Sequence, residues 1–185
     1  MLGPAGVDTC PMDLVTLEEI RQLKYRYLRS LDLKLWDTFA GTLTPDASAR
    51  YGDRLSFTSR DEIVTYMRTA LEPDVITVHH CHHPEITLDG DQAWGTWALD
   101  DTVIVPAHRI VLRGAAFYED RYSRDGDGRW AIAHTGYLRT YEAMLSLDDL
   151  PSFHLTANRW APPAAAAESA PASASSPAGE SLTGT

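Results

Sequence analysis

The strongest constraint on the fold of this chain is a change of sequence pattern at Val75. From there on, β-branched and aromatic runs are separated by turn sequences. Asp89-Gly90 separates two such runs, and the Asp-Gly-Asp-Gly sequence at 125–128 separates two more, at 109–122 and 130–141. Asp-Gly between runs of this kind is a strong hairpin signal. The second half of the chain is therefore predicted to be a meander of long antiparallel strands.

The first half of the chain has helical periodicity instead. A capping-box pattern at 16–19, Thr-Leu-Glu-Glu, precedes a long amphipathic helix in which Tyr27 is expected to face inward and Tyr25 outward. A short helix is predicted over 33–40. A third helix begins with a second capping box at 59–62 and stops before Pro73.

Helices followed by a strand meander indicate an α+β fold. A curved antiparallel sheet, with the three helices of the N-terminal half against its concave face, would form a cone-shaped α+β barrel that encloses a pocket. The domain is expected to span residues 13–160. Residues 1–12 are expected to be a flexible N-terminus. Residues 161–185 are expected to be a disordered tail, because 20 of these 25 are Ala, Pro, Ser or Gly.

Charge and composition restrict the partners. The chain has 26 acidic and 16 basic residues, a net charge of −10, and its basic residues are scattered. Nucleic acid and anionic membranes are therefore not expected as partners. No apolar run approaches the roughly 18 residues of a membrane helix. With two cysteines and no secretory signal pattern at its start, the chain is expected to be cytoplasmic.

The most unusual local feature is a run of histidines at 79–83, His-His-Cys-His-His. On a strand, His79, Cys81 and His83 share one face, and His80 and His82 share the other. His and Cys are preferred zinc ligands, but side chains two apart on a strand seldom converge on one ion, so no metal is predicted. The alternatives are histidines that pack or lie exposed at a sheet edge, and one inward histidine that carries a proton.

A proton-carrying histidine needs an orienting carboxylate, and Asp100-Asp101 offers one. Strand alternation places Asp101 on the same face as Trp97, and Asp100 on the opposite, solvent-facing side. A carboxylate on an inner face is costly unless it is paired. A salt bridge from Asp101 to Arg109 or Arg113 is the alternative role for this residue.

Two further polar residues and a set of aromatic residues are candidates for a pocket. Asp32 lies five residues after Tyr27, about 140° away around an unbroken helix, so both reach one pocket only if the helix ends or kinks between them. Its alternative role is the N-cap of the 33–40 helix. Arg139 lies in the last predicted strand and faces inward or outward. The side chains that could form an apolar lining, or simply core, are Trp36, Tyr51, Phe57, Tyr66, Met67, Trp97, Phe117 and Tyr118.

These motifs together resemble the SnoaL-like branch of the NTF2-like superfamily, in particular the bile-acid 7α-dehydratases and, more distantly, scytalone dehydratase. The resemblance rests on Tyr27 and Asp32, on the sequences at 78–86 and 93–101, and on those at 114–122 and 128–130, and it covers roughly 13–145. It implies the cone-shaped fold. This fold hosts dehydratases, isomerases, epoxide hydrolases, polyketide cyclases and non-catalytic binders.

Carried over by position, the resemblance implies four catalytic residues. His79, oriented by Asp101, would remove a proton activated by a substrate carbonyl, and Tyr27 would hydrogen-bond the developing enolate oxygen. Asp32 would help to protonate or position a leaving hydroxyl. The candidate substrate-binding residues are His80, Trp97, Phe117 and Arg139.

The function expected from this set is a cofactor-independent dehydratase or isomerase acting on a hydrophobic, polycyclic or polyketide-like carbonyl compound. One alternative is a polyketide-type cyclase that uses Asp101 or Asp32 alone. The other is a non-catalytic member that binds a small molecule or a protein. A homodimer or homotrimer is expected from the way such cones often pair.

Overall fold

The computed structural model describes residues 11–71 and 73–161, without the side chains of the first two. The predicted flexible N-terminus and disordered tail fall largely on 1–10 and 162–185, outside the described residues. The helices are α1 (Pro11–Asp32), α2 (Trp36–Ala40) and α3 (Arg60–Ala70). The strands are β1 (Leu43–Tyr51), β2 (Leu55–Phe57), β3 (Ile76–Asp89), β4 (Gln92–Val105), β5 (Ile110–Arg124) and β6 (Trp130–Ser146).

The strands form one curved sheet in the order β2-β1-β6-β5-β4-β3, with the helices packed on it. The two predicted hairpins are present as β3–β4 and β5–β6, and β4 pairs with β5 as the meander requires. The expectation of a purely antiparallel sheet is wrong, because β1 runs parallel to β6. The fold is the cone-shaped α+β arrangement predicted from the sequence, with a mixed sheet.

The helix boundaries differ from the sequence prediction at two points. The first helix begins at Pro11, so Thr16 is a buried residue inside it rather than its N-cap. The second begins only at Trp36, so Asp32 is the last residue of α1 and not an N-cap. The third helix starts as predicted, with the Ser59 hydroxyl accepting a hydrogen bond from the backbone N–H of Glu62.

Strand alternation decides which side chains enter the cone. In β4, Trp97, Leu99 and Asp101 are buried while Asp100 is exposed, as predicted. Tyr27 of α1 is fully buried and Tyr25 is exposed, also as predicted. The core between the helices and the concave sheet face consists mainly of Ile20, Leu23, Tyr27, Leu31, Phe39, Tyr51, Ile63, Trp97, Leu99, Tyr118, Tyr122 and Ile132. In the described part of the chain, no helix is long and apolar enough to cross a membrane.

Candidate active site

The candidate site lies on the concave face of the sheet, where three neighbouring strands bring residues into one row. His79 of β3 is the cross-strand partner of Asp101 in β4, and Asp101 is the partner of Gly114 in β5. Cross-strand partners point to the same face of a sheet and lie about 4.5–5.5 Å apart at Cβ. An imidazole and a carboxylate are therefore neighbours on the inner face.

His79 is held by Asp32, the last residue of α1. The Asp32 carboxylate accepts hydrogen bonds from His79 Nδ1 at 2.6 Å, from the backbone N–H of His79 at 2.9 Å and from the Thr77 hydroxyl at 2.8 Å. The side chains of His79 and Asp32 are 13% and 20% exposed. Because a carboxylate accepts, Nδ1 carries the proton and Nε2 holds the lone pair of the neutral ring. Nε2 makes no hydrogen bond to the residues described, so it can accept a proton from a ligand.

Asp101 has a different partner from the one expected. Arg139 of β6 donates two parallel hydrogen bonds to its carboxylate, Nη1 to Oδ1 at 2.5 Å and Nη2 to Oδ2 at 2.8 Å. The prediction that Asp101 orients His79 is therefore corrected: His79 Nδ1 bonds Asp32, and the Asp101 carboxylate binds the Arg139 guanidinium instead. The alternative pairing with Arg109 or Arg113 is also wrong. Arg139 faces inward and carries a further contact to Glu142, 3.3 Å from its Nε.

The charge of Arg139 is secured by its neighbours. Partial burial works against the charged form, but the hydrogen bonds to Asp101, together with Tyr137 and Glu142, raise the pKa of Arg139 above its usual range. The guanidinium also lies 5.0 Å from the centre of the Tyr137 ring. The carboxylate next to His79 in the row, that of Asp101, is therefore paired with a guanidinium that stays charged.

Gly114 makes room for this ion pair. A Cβ at this position would lie 2.5 Å from Arg139 Nη1 and 3.0 Å from Asp101 Oδ1. Any side chain on β5 at this point would intrude on the two hydrogen bonds. The Asp101–Arg139 ion pair thus requires a glycine at position 114.

Tyr27, predicted as a catalytic residue, lies in the buried core of the cone. It is fully buried, and its hydroxyl is 2.8 Å from that of Tyr51, a residue that the sequence suggested only as lining. Burial raises the pKa of both phenols well above the usual value, so both stay neutral hydrogen-bonding groups. The rings of Tyr118 and Tyr137 complete an aromatic wall around this pair.

A cleft of about 450 Å³ leads to His79 between α1 and the edge strand β3. It is lined by Tyr25, Leu28, Arg29, Asp32, Leu33, His79, His80, Cys81 and His82. A larger cleft of about 960 Å³ lies beside the N-terminal half of α1 and the β5–β6 turn and contains none of the predicted site residues. The candidate residues His79 and Asp32 therefore border the smaller cleft and not the larger one.

The predicted apolar substrate contacts do not hold. Phe117 is 61% exposed on the convex face of the sheet, because its neighbours Ala116 and Tyr118 face inward. Trp97 is completely buried and donates its indole N–H to Tyr122, so it is core rather than an accessible lining. His80 is exposed on the opposite face of β3 from His79, although it borders the same cleft.

The histidine run does not continue its alternation to the end. A register shift between His82 and Glu85 interrupts the pairing with β4, and His83 has a left-handed backbone with φ of 48°. His83 is exposed and does not join His79 and Cys81 on the inner face. Among the described residues, no group of three or more His, Cys, Asp or Glu could hold a metal ion.

The sequence interpretation missed one buried ionic pair, Lys24 with Asp120. Both side chains are fully excluded from solvent, and Lys24 Nζ lies 2.7 Å from Asp120 Oδ2. A signal existed in the sequence: Lys24 falls four residues after Ile20 and three before Tyr27, within the inner stripe of the helix. Asp120 likewise alternates with the buried Tyr118 and Tyr122.

A cone of one mixed sheet and three helices, with an inward histidine–aspartate pair where the first helix meets the edge strand, places this chain among the NTF2-like α+β proteins. A model of the SnoaL-like domain matches residues 12–136. The chain belongs to that family.

Solved structures share this fold over most of the chain. One is a putative scytalone dehydratase from Novosphingobium aromaticivorans, with a TM-score of 0.66 and 18% identity, covering 79% of this chain and 93% of that one. Another is a type 2 hexachlorocyclohexane dehydrochlorinase, LinA, with a TM-score of 0.67 and 18% identity, covering 82% and 96%. A third is ActVI-ORFA from Streptomyces coelicolor, with a TM-score of 0.59 and 14% identity, covering 68% and 98%. At these identities, the likeness establishes the fold.

Proposed function

We propose that this protein is a lyase or isomerase that uses general acid–base catalysis without a cofactor. The observation that carries this proposal is the His79–Asp32 pair. Its Nδ1–H is fixed by a carboxylate, and its other nitrogen is left for a ligand at the end of a cleft. A histidine held in one tautomer by a carboxylate is suited to remove and return a proton.

The proton transfer that this geometry supports begins at a carbon next to a substrate carbonyl. Nε2 of His79 takes the proton, and the electrons of the C–H bond move into an enolate. Asp32 stabilises the resulting imidazolium through Nδ1–H, without taking the proton. Positioned general base catalysis of this kind contributes typically about 10²–10⁴-fold.

The second half of the reaction returns the proton. In a dehydration, the enolate electrons form the C=C bond, the β-hydroxyl departs, and His79 gives it the proton so that water leaves. In an isomerisation, the same proton is returned to a different carbon. Arg139 is paired with Asp101, the cross-strand neighbour of His79, and is not among the residues that line the cleft, so it is assigned no contact with the enolate oxygen.

The roles of two carboxylates are thus exchanged relative to the sequence prediction. Asp32 orients the base, while Asp101 orients Arg139. Tyr27 is fully buried and its hydroxyl is hydrogen-bonded to that of Tyr51. It therefore supports the aromatic wall and does not donate directly to the enolate.

Two of the similar structures are named for enzymes whose names describe eliminations, a scytalone dehydratase and a dehydrochlorinase. This supports an elimination as the reaction type. We propose a hydrophobic hydroxy-carbonyl compound, polycyclic or polyketide-like, as the substrate, because apolar residues such as Tyr25, Leu28 and Leu33 share the cleft with the catalytic pair. A homodimer or homotrimer remains part of this proposal.

The experiment has two stages. Native mass spectrometry of the purified protein identifies the class of any co-purifying small molecule. A panel of β-hydroxy-ketones of that class is then incubated in deuterated water, and NMR follows deuterium entry at the α-carbon together with loss of water. The variants are His79→Gln and Asp32→Asn, with His108→Gln as the matched control, because His108 is exposed in the β4–β5 connection.

We expect His79→Gln and Asp32→Asn to lower exchange and turnover by about 10²-fold or more, and His108→Gln to leave both unchanged. Near-normal turnover in His79→Gln would refute the proposal. Loss of turnover in Asp101→Asn alone, with Asp100→Asn as its exposed control, would instead indicate the cyclase alternative. Ligand binding without exchange in the unmodified protein would indicate a non-catalytic binder.

A further inference from the structure

A buried ionic pair separate from the catalytic row connects α1 to the sheet. Lys24 Nζ is 2.7 Å from Asp120 Oδ2, and both side chains have no solvent exposure. The ammonium also lies 3.4 Å from the centre of the Tyr118 ring and 5.0 Å from that of Tyr27. Burial lowers the pKa of Lys24, and the nearby Asp120 opposes that shift. The proposed reaction makes no use of this pair.

Hydrogen bonds from residues of the sheet also hold the Asp120 carboxylate in place. The Tyr122 hydroxyl donates to Oδ2 at 2.7 Å, and the Thr135 hydroxyl donates to Oδ1 at 2.7 Å. Trp97 in turn donates its indole N–H to the Tyr122 oxygen at 2.9 Å. Three strands, β4, β5 and β6, thus fix the carboxylate, and Lys24 is the helix residue that meets it.

Stability does not account for the presence of this pair. The cost of taking two charges out of water often exceeds their attraction, and apolar side chains of similar volume are often as good or better. An ionic contact differs from apolar packing in requiring one particular pair of atoms at short range, here Lys24 Nζ and Asp120 Oδ2, whereas burial of apolar surface is non-directional. The contact of Lys24 with Asp120 therefore restricts the rotation of α1 on the sheet more than apolar packing alone does.

Asp32 needs that rotation to be correct. It lies eight residues after Lys24 on the same helix, about 12 Å along the axis and about 80° around it. There its carboxylate meets three donors from β3 at 2.6–2.9 Å, the Thr77 hydroxyl and two N–H groups of His79. Hydrogen bonds weaken steeply outside a narrow range of distance and angle. A turn of α1 about its axis would remove Asp32 from all three donors together.

We propose that Lys24 and Asp120 form a positioning pair that fixes the rotation of α1 on the sheet and so holds Asp32 against His79. The pair is not catalytic, since neither side chain is reachable from the cleft. The proposal deepens the acid–base function above and rests on it for its purpose. The geometry itself is testable without a substrate.

The test uses the double variant Lys24→Met/Asp120→Asn. Asn keeps a hydrogen-bonding group for Tyr122 and Thr135, and Met keeps an unbranched apolar stem, so the variant removes both charges with little change in volume. The matched control is Ile20→Val, which trims a fully buried residue of the same helix and leaves the charges in place.

The measurement is the ¹H NMR resonance of the His79 Nδ1 proton in protein labelled with ¹⁵N-histidine, assigned by its loss in His79→Gln. We expect the folded double variant to lose this resonance, or its proton to exchange with water at least ten-fold faster, while Ile20→Val retains it. An unchanged resonance in the folded double variant would overturn the proposal. Equal loss in Ile20→Val would also overturn it, since ordinary destabilisation would then be the cause.

Should the double variant fail to fold, Asp120→Glu decides the question. It keeps both charges and lengthens the connection by one methylene, so we expect the His79 resonance to weaken, and full retention would refute the positioning role. The failure of the proposed function has a different signature. In that case His79→Gln changes no turnover, whatever happens to the resonance in the Lys24 variants.

Discussion

The Asp101–Arg139 pair should have a coupling energy well above that of a surface ion pair. It consists of two charge-assisted hydrogen bonds at 2.5 and 2.8 Å, and the side chains of Arg139 and Asp101 are only 23% and 5% exposed. Hydrogen bonds to charged groups contribute about 1.5–3 kcal/mol each, or about 3–6 kcal/mol for two. Partial exposure of Arg139 screens part of this. We expect a coupling energy of about 2–3 kcal/mol, compared with about 0–1 kcal/mol for exposed pairs.

A double-mutant cycle measures this coupling. Arg139→Met, Asp101→Asn and the double variant are unfolded in urea, and the interaction energy is the departure of the double variant from additivity. Arg109 and Asp148 provide the control, since their contact is equally short at 2.5 Å but their side chains are 59% and 71% exposed. The control cycle should give less than about 1 kcal/mol and should weaken in high salt. A coupling for Asp101–Arg139 as small as that of the control would refute the inference from burial.

Three other perturbations have definite expected outcomes. Gly114→Ala should displace the Arg139 guanidinium, since the new Cβ would lie 2.5 Å from Nη1, and should lower the free energy of unfolding in urea by about 2 kcal/mol. Gly126→Ala is the control, because a Cβ there would have nothing within 4 Å, and it should leave the stability unchanged. Lys24→Met alone should destabilise by about 3–5 kcal/mol in calorimetry, because its carboxylate partner stays buried without a cation; a loss under 1 kcal/mol would contradict this. Burial and, secondarily, Arg121 lower the pKa of His134 below its ordinary 6.5, so the unfolded state binds more protons and stability should fall as pH drops below that value. In His134→Gln this part of the pH dependence should disappear, and an identical profile would exclude His134 as its source.

The sequence correctly predicted the elements that depend on local turn and capping residues. The hairpins at Asp89-Gly90 and 125–128 and the helix capped by Ser59 follow from local turn and capping chemistry. The first strand was not predicted, because its sequence contains Pro45 and Asp46, which disfavour strands. It becomes a strand through pairing with β6, a contact that no local pattern reveals.

The site was predictable in its members and less so in its pairings. Strand alternation correctly placed Asp101 inside, but the side that Arg139 faces depends on two irregularities in β6. In β6, Ala133 and Thr140 have no partner in β5. Each unpaired residue shifts the alternation by one, so the inward side chains have even numbers up to Ile132, odd numbers from Thr135 to Arg139, and even numbers again after Thr140. Such bulges follow from the geometry of the whole sheet. The partner of each carboxylate could therefore not be assigned from spacing alone.

The parallel contact between β1 and β6 has a consequence for how the chain folds. The strands of the β3–β4–β5 meander are neighbours in the sequence. In contrast, Ser48 of β1 is hydrogen-bonded to His134 of β6, which lies 86 residues further along the chain. Contacts that close long loops form slowly, so closure of this end of the sheet should limit the folding rate. Thr135, which completes the shell around Asp120, belongs to β6, the strand that receives β1. Because the β3–β4 hairpin closes a short loop before this step, substitutions in it should slow refolding, while substitutions that weaken only the β1–β6 pairing should divide their effect between the rates of refolding and unfolding.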